Sequence, residues 1–211
     1  MIKMVMKMKT KIVPTILMIF VLCLGIPYAY QREINIETPF INQLEEGAPN
    51  GCEGASLLMA LRGKGKAYSV KYKTFLDKMP YTKDGNPHHG FTGSPYQNKA
   101  FSVIYPDALL PYASHYGIVK NTSGSTVKEL LYHLSRGRPS VVWVTSGFKK
   151  PRWKTYSFGD AVSNVHVVTL TGYKASTDTI IVMDPLEGKK RVDAEQFKES
   201  YDAMKFALTI Y

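Results

Sequence analysis

Up to about residue 137 the apolar positions of the chain recur at helical intervals, and beyond it they run in unbroken, β-type stretches. Ala55, Leu57, Leu58 and Leu61 follow Gly51-Cys52 at helical spacing and predict a short buried helix. Arg62-Gly63 should end it, a cation in the last turn followed by a glycine suited to the left-handed position. Cys52 then sits at the helix N-terminus. Val70–Met79 predicts a second helix stopped by Pro80, and Tyr81–Lys99, crowded with Gly, Pro, Asn and Asp, a loop. A helical piece over Pro106–Tyr116 precedes the clearest helix. There Thr126 and Glu129 form a capping box, Val127, Leu130, Leu131 and Leu134 share one apolar face, and Gly137 marks the end.

The β-type stretches are Ser140–Thr145, Val165–Gly172 and Thr179–Met183, the last two predicted as a hairpin that reverses in Ala175-Ser176-Thr177-Asp178. A helix from Asp193 to about Met204 and a strand over Lys205–Tyr211 close the chain. Helices first and an antiparallel sheet afterwards indicate an α+β fold. A length of 211 residues suits one packed domain, and 45% hydrophobic with 21% charged residues excludes disorder and a multi-span membrane protein.

The first residues follow another pattern. Lys3, Lys7, Lys9 and Lys11 precede an uninterrupted apolar run from Ile16 to Ile26, the grammar of a signal peptide. That run is shorter than the roughly 20 residues that span a bilayer. Pro27, however, fits an A-x-A cleavage site ending at Ala29 poorly. Residues 1–29 are therefore expected to be a signal peptide or a retained N-terminal membrane anchor, and residues 30–211 the folded domain, facing outward. Without the four lysines the formal charge falls from +10 to +6. The excess reads as a solvated basic surface, or as one that associates with anionic membrane or wall polymers; no nucleic-acid motif accompanies it.

Cys23 falls in the N-terminal segment, so Cys52 is alone in the domain: an inert buried cysteine, a partner in an intermolecular disulfide, or a free reactive thiol. Its place at a helix N-terminus favours the thiolate. A thiolate needs an imidazole partner. Of five histidines, His133 falls on the polar, solvent side of the capped helix and His115 at the end of a helical piece. His88 and His89 stand in a loop with no Cys or Glu at metal-ligand spacing. His166 opens a rigid apolar strand, and Asp184 ends the strand paired with it, where its carboxylate would fix the ring's tautomer. The competing readings are a hydrogen-bonded core histidine and a strand-end turn former. Gln43, nine residues before Cys52, is a candidate oxyanion donor, worth about 3 kcal/mol if it acts so, and otherwise a surface glutamine.

Set together, these segments resemble a known family. Ile41-Asn42-Gln43 followed by Asn50-Gly51-Cys52-Glu53-Gly54-Ala55-Ser56-Leu57 is similar to the nucleophile motif of C39-like peptidases, a papain-like family of cysteine peptidases. Asn164-Val165-His166-Val167-Val168 with Thr171-Gly172-Tyr173 resembles its histidine motif, and Met183-Asp184-Pro185 its third-residue motif. Gly90–Tyr96, Trp143 and Trp153 resemble features of the standalone, secreted branch. The resemblance implies a papain-like fold with N-terminal helices packed on a C-terminal antiparallel sheet. It also implies roles: Gln43 stabilising the oxyanion, Cys52 attacking, His166 shuttling the proton, Asp184 orienting it, and a peptide or protein substrate handled without metal or organic cofactor. Members that process bacteriocin leaders are fused to an exporter, which this chain does not supply. Two other readings stay open, a non-catalytic papain-like module that binds wall or surface peptides, and an amidase or acyltransferase acting on cell-wall peptides. The stretch Ser146–Ser163, with Lys149, Lys150, Arg152, Trp153, Lys154 and Tyr156, either rims a cleft suited to aromatic or acidic groups or is a solvated loop.

Overall fold

The computed structural model describes residues 33–97 and 101–211. The expected signal peptide or anchor over residues 1–29 lies outside them. In chain order the elements are β1 (Glu33–Asn35), α1 (Cys52–Gly63), α2 (Tyr72–Asp77), α3 (Pro106–Ser114), β2 (Val119–Asn121), α4 (Val127–Ser135) and β3 (Ser140–Thr145). They continue as β4 (Trp153–Tyr156), β5 (Gly159–Val162), β6 (Val165–Lys174), β7 (Thr179–Asp184), β8 (Gly188–Asp193), α5 (Ala194–Asp202) and β9 (Ala207–Ile210).

Seven strands form one antiparallel sheet in the order β2-β9-β3-β6-β7-β8, with β1 on β6 where β3 stops. Side chains alternate across such a sheet. Val141, Trp143, Val167 and Leu208 pack with the helices α1, α2 and α3 on one face. On the other, Val142, Val144, Val168 and Leu170 pack with Leu130 and Leu134 of α4 and Phe197 and Tyr201 of α5. Coverage on both faces explains why the strands read as continuous apolar runs and not as alternating ones. The architecture is the expected papain-like α+β fold.

Local chemistry sets the element ends. Thr126 and Glu129 make the reciprocal capping-box bonds that start α4, and Asp193 accepts from the N–H groups of Glu195 and Gln196 to start α5. The hairpin β6–β7 turns through Ala175–Thr177, with Asp178 left-handed at φ 44°. The end of α1 differs from expectation. Gly63 is helical, and a Cβ there would come within 2.7 Å of Thr38, so this glycine serves close packing. The left-handed residue is Gly65, at φ +73°.

Other departures share one cause, tertiary context. The stretch Ser146–Ser163 carries a two-stranded hairpin, β4–β5. The charged run Lys189-Lys190-Arg191 forms part of β8, which among the described residues pairs with β7 alone, so that charges guard the edge of the sheet. His133 is not solvent-exposed as its helical position predicts. It is half-buried between the rings of Tyr132 and Tyr211, and its Nδ1 is buried without a hydrogen-bond partner.

Candidate active site

Helix α1 lies against β6. Ser56, one turn into the helix, donates its hydroxyl to Val167 O at 2.9 Å, and Thr169 donates to Ser56 O at 2.8 Å. These bonds set the N-terminal end of α1 beside the first residues of β6, so Cys52 and His166 start their elements at the same end of the domain. Gly51 precedes the nucleophile for a steric reason. The Tyr72 hydroxyl donates to Gly51 O at 2.8 Å, and a Cβ on Gly51 would lie 2.2 Å from that hydroxyl oxygen.

His166 and Asp184 are both buried, and His166 Nε2 is 2.9 Å from Asp184 Oδ1. The carboxylate therefore fixes Nε2 as the protonated nitrogen and leaves Nδ1 as the basic one. Asp184 Oδ1 also accepts from the Leu186 N–H at 2.9 Å. Burial works against charge on Asp184, but the His166 hydrogen bond and charge, the Leu186 N–H and the Lys190 charge together hold its carboxyl below the usual range.

Gln43 is buried and tied to both halves of the site. Its backbone N–H donates to Pro185 O at 2.9 Å, next to Asp184, and its side-chain Nε2 donates to Pro49 O at 2.7 Å, just ahead of Cys52. One amide hydrogen remains for another acceptor. All four residues singled out in the sequence are thus held in one framework by short-range bonds.

The thiol's surroundings differ from the sequence expectation. Cys52 Sγ donates to Glu53 Oε2 at 3.3 Å, not to His166. Burial first, then the Glu53 charge and hydrogen bond, push the thiol well above its ordinary value, against weaker help from the backbone N–H groups of Val167 and Glu53. Glu53 itself is 1% exposed, accepts from the Ile104 N–H at 3.1 Å, and is pushed up to about 7, chiefly by burial. Trp143 holds the next peptide of the same residue, Nε1 donating to Ile104 O at 3.0 Å. Sequence reasoning passed over Glu53. A signal was present: Gly54, Ala55 and Ser56 are small enough for α1 to be enclosed all round, and Glu53 to Leu61 are all buried.

Asn164 belongs to the histidine motif and also has a structural part. Buried two residues before His166, it accepts from the Arg152 N–H at 2.8 Å and donates to Lys150 O at 3.1 Å, fastening the cationic stretch to the strand that carries the histidine. Ser146, Lys149, Lys150, Arg152 and Asn164 line a shallow cavity of about 220 Å³. A second, aromatic cavity of about 270 Å³ is walled by Trp153, Phe158, Tyr105 and Phe206. His88 and His89 pair with Asp107 and Asp84, and no group of three or more metal-ligating side chains occurs among the described residues. His115 caps the end of α3.

The model of the Peptidase_C39 like family matches residues 35–209. The chain belongs to this family. As a C39-like cysteine peptidase it is similar to a crystal structure described as a C39-like peptidase from Bacillus anthracis, with 25% identity and a TM-score of 0.75 over 85% of this chain and 98% of that one. A double glycine motif protease from an AMS/PCAT transporter, solved with its leader peptide, has 20% identity and a TM-score of 0.48, covering 83% of this chain and 91% of its own. Xylellain, a cysteine protease from Xylella fastidiosa, has 14% identity and a TM-score of 0.46, covering 84% and 85% respectively. No curated protein sequence matches the peptidase.

Proposed function

We propose that this C39-like peptidase acts outside the cytoplasmic membrane and cleaves a peptide or related amide bond through an acyl-thioester on Cys52. The buried His166–Asp184 hydrogen bond carries the reading, because it leaves Nδ1 of a fixed imidazole as the base at the end of the domain where α1 begins. In the acylation step the Sγ proton passes to His166 Nδ1, and the sulfur attacks the substrate carbonyl carbon. The negative charge that develops on the carbonyl oxygen is met by the spare Nε2–H of Gln43 and by the Cys52 backbone N–H at the open start of α1. Collapse expels the amine, which takes the proton from His166, and leaves the acyl group on sulfur. Water, deprotonated by the same Nδ1, then releases the acid and restores the thiol. Asp184 stays ionised and steadies the imidazolium.

The outward location rests on the lysine-rich and apolar pattern of residues 1–29, and the +6 charge of the remainder supports association with anionic membrane or wall polymers. The cationic cavity lined by Asn164 and the aromatic cavity walled by Trp153 favour substrates that carry acidic or aromatic groups.

Incubation with a peptide library and with purified wall fragments, read by mass spectrometry, tests the function. New carboxyl and amine termini from the wild type, absent with Cys52→Ala and accompanied by an acyl adduct on Cys52 in quenched samples, are expected. Unchanged cleavage by Cys52→Ala would refute the mechanism. Transfer of the acyl group to an added amine without hydrolysis would make the chain an acyltransferase.

A further inference from the structure

Glu53 is a buried carboxylate that the catalytic steps above leave unused. Its two oxygens are both committed: Oε1 to the Ile104 N–H and Oε2 to the Cys52 thiol. No lysine or arginine forms an ion pair with it among the described residues. The titratable groups that face it are Cys52 on its own helix, Tyr72 of α2 and Tyr105 just ahead of α3, none of them a cation. From the sheet, Trp143 fixes the position of Ile104 and brings no charge. His166 is bonded to Asp184.

A thiolate on Cys52 would sit 3.3 Å from a carboxylate oxygen, and among the described residues no lysine or arginine is paired with that carboxylate. Two negative charges at that distance in a buried site cannot both persist, so thiol and carboxyl share the available proton. We propose that Glu53 is a positioning residue that keeps the Cys52 thiol protonated and turned away from His166 in the resting enzyme. This rests on the reading of Cys52 as the nucleophile and adds a step before it. The S–H bond to Glu53 is given up, the sulfur turns toward His166, and its proton moves to Nδ1, giving thiolate and imidazolium with Glu53 unchanged. The resting enzyme is then a thiol, not an ion pair, and alkylating or oxidising agents meet a poorly reactive sulfur until substrate displaces the hydrogen bond.

Glu53→Gln is the test variant, since its amide oxygen still accepts from Ile104 while the negative charge is gone. The rate of iodoacetamide alkylation of Cys52 is measured against pH in both proteins. The variant's midpoint should fall by at least one pH unit, giving about tenfold faster alkylation well below the midpoint. An unchanged midpoint, with folding intact, overturns the role and leaves Glu53 as a mere contact of the Ile104 loop. Should the variant not fold, the wild type decides. A hydrogen-bonded S–H stretch in the infrared near neutral pH, absent from Cys52→Ala, is expected, and no S–H band there overturns the proposal. Alkylation needs no substrate, so failure of peptide hydrolysis and failure of the Glu53 role register in separate experiments.

Discussion

The site contains two buried carboxylates in opposite states, Asp184 at the end of the sheet strand β7 and Glu53 in the first turn of helix α1. Asp184 faces an imidazole that can carry positive charge, and its carboxyl is held below the usual range despite burial. Glu53 faces a thiol and neutral tyrosines, and burial raises it to about 7. Equal side-chain chemistry thus gives an ion on the sheet side and a shared proton on the helix side. The sheet half is built to hold charge before substrate arrives, and the helix half is built to withhold it.

The largest effect should come from breaking the sheet half. Asp184→Asn keeps the shape, loses the charge that supports the imidazolium and unsettles the tautomer. A fall in kcat/KM on the order of 10³-fold is expected, with KM little changed. Gln43→Ala, which removes a donor without touching either carboxylate, should cost about 10²-fold in kcat. Both are read from steady-state hydrolysis of a cleaved peptide.

The pH dependence of stability sharpens the contrast. Glu53 binds its proton more tightly folded, at about 7, than unfolded, at the ordinary 4.5. Its contribution is therefore present below about 4.5 and is lost as pH rises toward 7, by up to about 3 kcal/mol. For Asp184 the folded value is depressed, so its contribution is present above the unfolded value of 3.8 and is lost as pH falls through the folded one. Urea unfolding of wild type and Glu53→Gln between pH 4.5 and 7 should show a downward slope with pH that the variant lacks. The smallest effect is expected from Trp143→Phe, which leaves Ile104 O without its indole donor and should cost about 1–2 kcal/mol of stability in the same assay.

The sheet half was legible in the sequence because its determinants are local. The β6–β7 hairpin brings His166 and Asp184, 18 residues apart, within hydrogen-bond reach through its own turn. The capping box of α4 and the strand Ser140–Thr145 were legible for the same reason. The helix half was not, since the state of Cys52 depends on Ile104, 51 residues beyond Glu53, arriving with its N–H. An acidic residue in a first helical turn reads as a solvent-facing partner of the helix dipole. Only the loop that buries it reverses that meaning. The edge strand β8 and the hairpin β4–β5 escaped for a related reason, since neither carries an apolar pattern and both exist by pairing with a neighbour.

The backbone of Ile104 is pinned at its carbonyl oxygen by a core tryptophan and at its N–H by the carboxylate beside the nucleophile. Core packing and the carboxylate beside the nucleophile therefore meet at one residue, on the two peptide groups that flank its Cα. On the proposed role of Glu53, Trp143→Phe is expected to change how the sulfur titrates as well as the stability of the fold. On that role, the alkylation rate of Cys52 would then report on packing in the interior as well as on the site itself.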